Sequence, residues 1–214
     1  QHSQLHSLIN WNRKLRAHQN GATITQFSES RATGFNDGRV WVNTNRWTEV
    51  LSSRLFLDVA GLIMTSHNDK GPQPEVQPGD VARFDSVTNT ISVASGTYSL
   101  PTYAYKNLFQ SSLTYVVGDH ELKVGQQFTR SIRDQNFLST SDYPSGLQAI
   151  YKNGVPDSVK TYNTPAGSIW TNFENDIYVQ DKWRLARKLT VNLGLRFEHD
   201  FERVNDGVSP LCQK

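Results

Sequence analysis

The sequence has one cysteine, one methionine and no purely apolar run longer than residues 59–64. A lone Cys212 excludes a disulfide framework and a cysteine metal cluster. Without the ~18–20 consecutive apolar residues that a spanning helix needs, any passage through a membrane has to be made by strands. An excess of one charge is missing as well. The 22 Lys and Arg against 20 Asp and Glu leave a net charge of +2, which is no basic field for phosphates and counts against nucleic acid as a partner. There is no Gly-x-Ser-x-Gly elbow and no Gly-rich phosphate loop ahead of a helix. Histidines at 2, 6, 18, 67, 120 and 199 are scattered, and on a strand His2 and His6 would stand ~13 Å apart, too far to share a metal ion. With no constellation of acid, base and nucleophile, the chain reads as not an enzyme, with no metal and no cofactor.

What is present is alternation. Across 189–201, Leu189, Val191, Leu193, Leu195, Phe197 and Phe201 share one face, and Thr190, Asn192, Arg196, Glu198 and Asp200 share the other. At about 3.3 Å per residue this strand runs roughly 40 Å, beyond the ~3–10 residues usual in soluble domains. A strand tilted in a bilayer needs only ~9–11 residues to cross, so this one can cross and emerge. Only alternate residues of such a strand meet lipid, so a mean hydropathy below zero is compatible with it.

Loop length tests whether neighbouring strands turn their apolar faces to the same side, because a slip of one residue inverts a strand. A two-residue turn at Gly118-Asp119 sets Tyr115 against Leu122, Leu113 against Val124 and Phe109 against Phe128. Gly in the first central position suits the primed turns of two-residue hairpins. The strands 173–185 and 189–201 need an odd loop, most simply Ala186-Arg187-Lys188, which sets Trp183 against Val191, Val179 against Leu195, Ile177 against Phe197 and Phe173 against Phe201. From Phe173 to Trp183 the projected height is ~23 Å, close to the ~25 Å apolar band of outer-membrane barrels. Asp181 alone falls on the apolar face, which is tolerable near the interface or against a neighbouring backbone.

Weaker alternation marks 5–17, with Ile9, Trp11 and Leu15 on one parity, and a return strand at 40–48, where Trp41 and Trp47 compete with Val40 and Val42 for the apolar face. Residues 54–63 form a further strand, and 89–95 a short strand or hairpin inside a loop. The total is about seven long strands. Long connections (about 18–38, 66–102 and 134–171) alternate with short ones near Val50, Gly118 and Arg187, and the long ones hold Pro72, Pro74, Pro78, Pro101, Pro144, Pro156 and Pro165. Outer-membrane barrels sort their loops in this way, with short turns in the periplasm and long loops outside the cell. The fold class expected is all-β: an antiparallel up-and-down transmembrane β-barrel, of which residues 1–214 are one part. Gln1 is not an initiator and an open sheet leaves two unpaired edges that lipid cannot satisfy, so the chain reads as a piece of a longer one.

The stretch Asp176-Ile-Tyr-Val-Gln-Asp-Lys-Trp183, followed by Lys188-Leu-Thr-Val-Asn-Leu-Gly-Leu-Arg-Phe-Glu198, resembles a hairpin that recurs in the barrels of TonB-dependent receptors. Gly118-Asp-His-Glu-Leu-Lys-Val-Gly-Gln-Gln-Phe128 resembles another hairpin of that family. With Asn153-Gly-Val-Pro-Asp-Ser158 and Tyr162-Asn-Thr-Pro165, the resemblance is to the branch that carries a carboxypeptidase-regulatory-like domain ahead of its plug. It spans most of 105–201. The resemblance implies a 22-stranded barrel in the outer membrane of a Gram-negative bacterium, filled by a plug that lies outside this sequence. It also implies drive from the TonB complex through that plug, and import of a siderophore, cobalamin or a glycan-like ligand. Outer-membrane lipid and lipopolysaccharide are the partners the wall itself would meet.

On the polar face, the hairpin register sets Asp176 opposite Glu198 and Glu174 opposite Asp200. Like charges in that position are unfavourable. These four form either a cation site or substrate-contacting acidic rim, or a wet mouth neutralised by neighbours such as Arg133 or Arg196. Tyr98, Tyr103, Tyr143, Tyr151 and Tyr162 lie in or beside the long loops, where they either hold a sugar or an aromatic chelator or pack the loops. Two other classes stay open: a structural or adhesive outer-membrane barrel, and a secreted carbohydrate-binding β-sandwich, whose apolar faces would pack on each other.

Overall fold

Strict alternation over long segments produces long strands. The structure, a computed structural model, describes residues 3–19, 26–141 and 146–205. In chain order the strands are β1 (Ser3–Gln19), β2 (Phe27–Ser28), β3 (Gly34–Ser52), β4 (Leu55–Pro72), β5 (Ala82–Asp85), β6 (Thr90–Ser92), β7 (Tyr98–Val117), β8 (His120–Leu138), β9 (Leu147–Lys152), β10 (Val155–Thr161), β11 (Ala166–Ala186) and β12 (Leu189–Asn205). The long ones build one seven-stranded sheet in the order β1-β3-β4-β7-β8-β11-β12, and every neighbour in it is antiparallel. Strands adjacent in this sheet are adjacent among the long strands in sequence, which is the up-and-down order of a barrel wall.

The register carries the apolar parity across the whole sheet. Tyr115 faces Leu122, Leu113 faces Val124 and Phe109 faces Phe128, as the two-residue turn requires. Gly118 stands at φ 57, a conformation open to glycine in the first position of a type II′ turn. Across β11 and β12, Trp183 faces Val191, Val179 faces Leu195, Ile177 faces Phe197 and Phe173 faces Phe201. The odd loop there takes a different form from Ala186-Arg187-Lys188. Ala186 pairs with Leu189 after a register shift beyond Arg184, so the turn is Arg187-Lys188 and a bulge at Leu185 supplies the odd residue. In β3 the competition is settled by pairing: Trp41 faces Trp11 and Trp47 faces Leu5, while Val42 faces Asn10 and Val40 faces Asn12. The tryptophans take the apolar side.

Among the described residues, no protein covers that side. Leu195 is 79% exposed, Phe197 67% and Leu5 71%, a contiguous apolar surface that only lipid or another apolar body can cover. The strands also run past the expected loop limits. The intervals 18–38, 66–102 and 134–171 shrink because β3 begins at Gly34, β4 ends at Pro72, β7 begins at Tyr98, β8 ends at Leu138 and β11 begins at Ala166. Above the apolar band both faces are wet, so pairing continues where no alternation remains to be read.

The three long connections fold together. Their short strands make a second sheet of five strands, β10-β9-β5-β6-β2. The expected element at 89–95 is β6, hairpinned to β5. Cross-loop pairing is parallel, β2 with β6 and β5 with β9. A small core of Val76, Ala82 and Ala94 lies within it, and Arg31 Nη2 meets Asp80 Oδ2 at 2.7 Å, linking the first long connection to the second. This cap stands at the long-loop end of the wall.

Candidate functional site

The polar face of the wall begins with the four carboxylates near the long-loop end. Register places Asp176 opposite Glu198 and Glu174 opposite Asp200. Arg196, next to Glu198's position on the same polar parity of β12, relieves the repulsion. Its Nη2 lies 2.7 Å from Asp176 Oδ2 and its Nε 2.6 Å from Glu198 Oε1. The Asp176 side chain is 6% exposed and that of Glu198 57%, so the arginine neutralises a buried carboxylate and a wet one together. Glu174 Oε1 accepts from Asn172 Nδ2 at 3.1 Å. Asp200 has no ion pair among the described residues. Arg133 does not join the cluster; its guanidinium lies 5.3 Å over the Trp170 ring. Among the described residues no trio of His, Cys, Asp or Glu is placed to hold a metal ion.

A second site lies where cap meets wall. A cleft of about 650 Å³ opens between the ends of β1, β3, β4, β7 and β8 and the inner side of β5, β6, β9 and β10. Its chemistry is set by Lys70 from the wall, Lys160 from the cap, and the rings of Phe84, Tyr98, Phe137 and Tyr162. No carboxylate is among its described lining residues, and neither lysine has an ion pair among the described residues. Lys160 Nζ lies 5.0 Å from the Tyr162 ring centre. Tyr162 is held by its hydroxyl, which donates to Gln148 Oε1 at 2.7 Å, and by Gly96, where a Cβ would overlap that hydroxyl. Burial pushes the Tyr162 phenol above its ordinary value, so it stays a neutral donor. The Tyr98 hydroxyl accepts from the Ser95 N–H at 2.9 Å. The cleft therefore offers cations, donors and flat apolar walls, the surroundings that hold a small polar molecule carrying rings.

Of the five tyrosines marked in the sequence, Tyr98 and Tyr162 line this cleft. Tyr103 instead stacks on His67 with ring centres 4.5 Å apart, and Tyr151 lies under Arg83 at 5.8 Å. Tyr143 falls outside the described residues. Sequence reasoning missed Lys70, Lys160 and Phe84. A signal for part of this was present: Asn153-Gly154, with φ 51 and 80, is the dipeptide of a type I′ hairpin, and it creates β9 and β10 and so places Lys160.

Asp181, on the apolar face, is paired through one of its two carboxylate oxygens at the tight-turn end. Its Oδ2 lies 2.7 Å from His120 Nδ1, and the His120 ring stacks on Trp183 at 5.2 Å. This is a polar group at the edge of an apolar band, where aromatic girdles sit.

Comparison with known proteins bears on this architecture. A family model described as outer membrane beta barrel domain matches residues 3–209. Among solved structures, the siderophore receptor PiuA from Acinetobacter baumannii is similar at 12% identity and a TM-score of 0.49, with 95% of this chain covering 34% of that one. BauA, the ferric preacinetobactin receptor of the same organism, is similar at 11% identity and a TM-score of 0.50, with 95% of this chain covering 32% of it. The chain thus spans about a third of the length of these two structures, and at such identity the likeness to BauA is one of fold alone. No curated protein matches.

Proposed function

The chain belongs to the outer membrane beta barrel domain family, and from that premise we propose that it is part of the wall of a plugged, TonB-driven importer in the outer membrane. The observation that carries the reading is the cleft beneath the cap. A ligand arriving from outside meets a preformed pocket with Lys70, Lys160, Tyr98 and Tyr162 on its walls, directly above the polar face of the sheet. A wall that served only to anchor or adhere has no need of a pocket there. The sequence motifs at 118–128, 153–165 and 176–198 support the branch with a carboxypeptidase-regulatory-like domain, a barrel of 22 strands, and contact with the TonB complex through a plug. Import of a siderophore, cobalamin or a glycan-like molecule involves no bond-making by the wall, and the reading assigns it no catalytic step and no cofactor.

The test is uptake by cells that make the whole protein. Radiolabelled ferric siderophore, cobalamin and oligosaccharide are offered in turn, with and without a protonophore. Protonophore-sensitive accumulation of one of them, lost on combining Lys70→Gln with Lys160→Gln, is expected. Equal accumulation with and without the protein for all three would replace the importer by an adhesive or structural barrel.

A further inference from the structure

We propose that Arg130, Asn107 and Tyr105 form a site on the outside of the wall for the phosphate of an outer-leaflet lipid. The proposal rests on the outer-membrane family membership, not on the importer reading. Arg130 is on the apolar parity of β8, the parity of Leu122, Val124 and Phe128, and it is exposed. From His120, at the tight-turn edge of the apolar band, to Arg130 the strand climbs about 23 Å at a tilt near 45°. That matches the ~25 Å height of the apolar band of such barrels. Arg130 therefore sits at the outer boundary, where headgroups begin.

Among the described residues it has no counter-ion within ion-pair distance. Asn107 is its partner across β7 and Phe173 its partner across β11. The guanidinium carbon lies 5.5 Å over the Phe173 ring, and no ion pair among the described residues includes Arg130. The carboxylate further along the same face, Asp134, accepts from Asn136 Nδ2 at 3.1 Å. One pair closer to the long-loop end, Tyr105 faces Ile132, and its hydroxyl is a further donor at headgroup level. One pair below on the same face, Phe109 and Phe128, 47% and 38% exposed, offer the apolar surface that acyl chains need. All of these residues lie on β7, β8 and β11, each of which is paired on both sides in the sheet.

A cation at an apolar boundary is costly when left alone. Arginine spread over a ring keeps its N–H edge free, and that edge matches two phosphate oxygens at once. A phosphorylated glycolipid of the outer leaflet presents its phosphate at this height with chains pointing down the wall. Charge, height and apolar footing all fit that one occupant.

The experiment uses the whole protein purified from outer membranes, stripped of lipid in detergent and then titrated with diphosphoryl lipid A, with native mass spectrometry reading the bound lipid. One retained lipid is expected for the wild type. Arg130→Gln should lower its affinity about tenfold, the loss expected for a charge-assisted hydrogen bond, while Arg130→Lys keeps most of it. Unchanged β-sheet circular dichroism establishes that each variant is folded. Equal retention by Arg130→Gln, or equal binding of lipid A freed of its phosphates, would overturn the proposal. Displacement by millimolar inorganic phosphate would also overturn it, assigning a free-anion site in place of a lipid site.

Discussion

Asp85 and Gly154, 69 residues apart in sequence, meet at 2.7 Å, with the Gly154 N–H donating to Asp85 Oδ2. The other oxygen accepts from the N–H of Asn153 at 3.2 Å, and within its own turn from those of Val87 at 3.0 Å and Thr88 at 3.2 Å. One carboxylate thus ties the β5–β6 hairpin to the β9–β10 hairpin and fastens the second long connection to the third.

The first prediction concerns acid. The Gly154 N–H, with those of Thr88, Val87 and Asn153, holds the Asp85 carboxyl below its ordinary value of 3.8. A carboxylate lowered on folding contributes stability that is complete above its ordinary value and is lost as pH falls through the lower, folded one. Amide exchange at residues 87–88 and 153–154 should therefore stay slow from neutral pH down to about 4 and accelerate, relative to the β7–β8 wall, only below it. Asp85→Ala should show the fast exchange at neutral pH. Equal protection in that variant would mean that the cap is held by its sheet alone.

A second prediction tests the acidic rim. Asp176 is buried and Arg196 is its ion-pair partner. Removing one partner of such a pair leaves a buried charge alone, so Arg196→Met should cost about 3–5 kcal/mol of stability, while adding Asp176→Asn should return a large part of it. Glu198→Gln, at an exposed carboxylate, should cost far less. Because Arg196 already neutralises the pair, calcium should give no thermal shift that depends on Glu198. Thermal unfolding in detergent reads all of these.

Face assignment is open to a direct test. Val124 lies on the lipid side of β8, and its neighbour Lys123 on the lumen side. Val124→Arg should destabilise by about 2–4 kcal/mol, the cost of arginine facing the middle of a bilayer, while Lys123→Arg should be nearly neutral. Urea unfolding in phospholipid vesicles measures both. A small cost at Val124 would put lipid on the opposite face.

Packing inside the wall gives a fourth prediction. A Cβ at Gly125 would overlap the Tyr178 ring, and both residues are on the lumen side of paired strands. Gly125→Ala should destabilise by about 1–3 kcal/mol through overpacking. In combination with Tyr178→Ala most of that penalty should vanish, a coupling that a double-mutant cycle reads directly.

The sequence by itself determined the wall. Period-two alternation is local, and a turn of known length transmits its parity to the next strand. Tyr115 against Leu122 and Phe173 against Phe201 were therefore legible from residue types and spacing alone. So was the opposition of Asp176 to Glu198, with Arg196 among the neighbours able to neutralise it. The tertiary structure decided what no short window contains. Trp41 and Trp47 took the lipid face only because β1 paired with β3 in one register. Asp181 was reconciled with the apolar face only by His120 from another strand. The cap and its cleft arose where three connections joined their short hairpins and strands by pairing β2 with β6 and β5 with β9. Lys70 and Lys160 come to line the same cleft through that assembly, and alternation carries no information about contacts formed between loops.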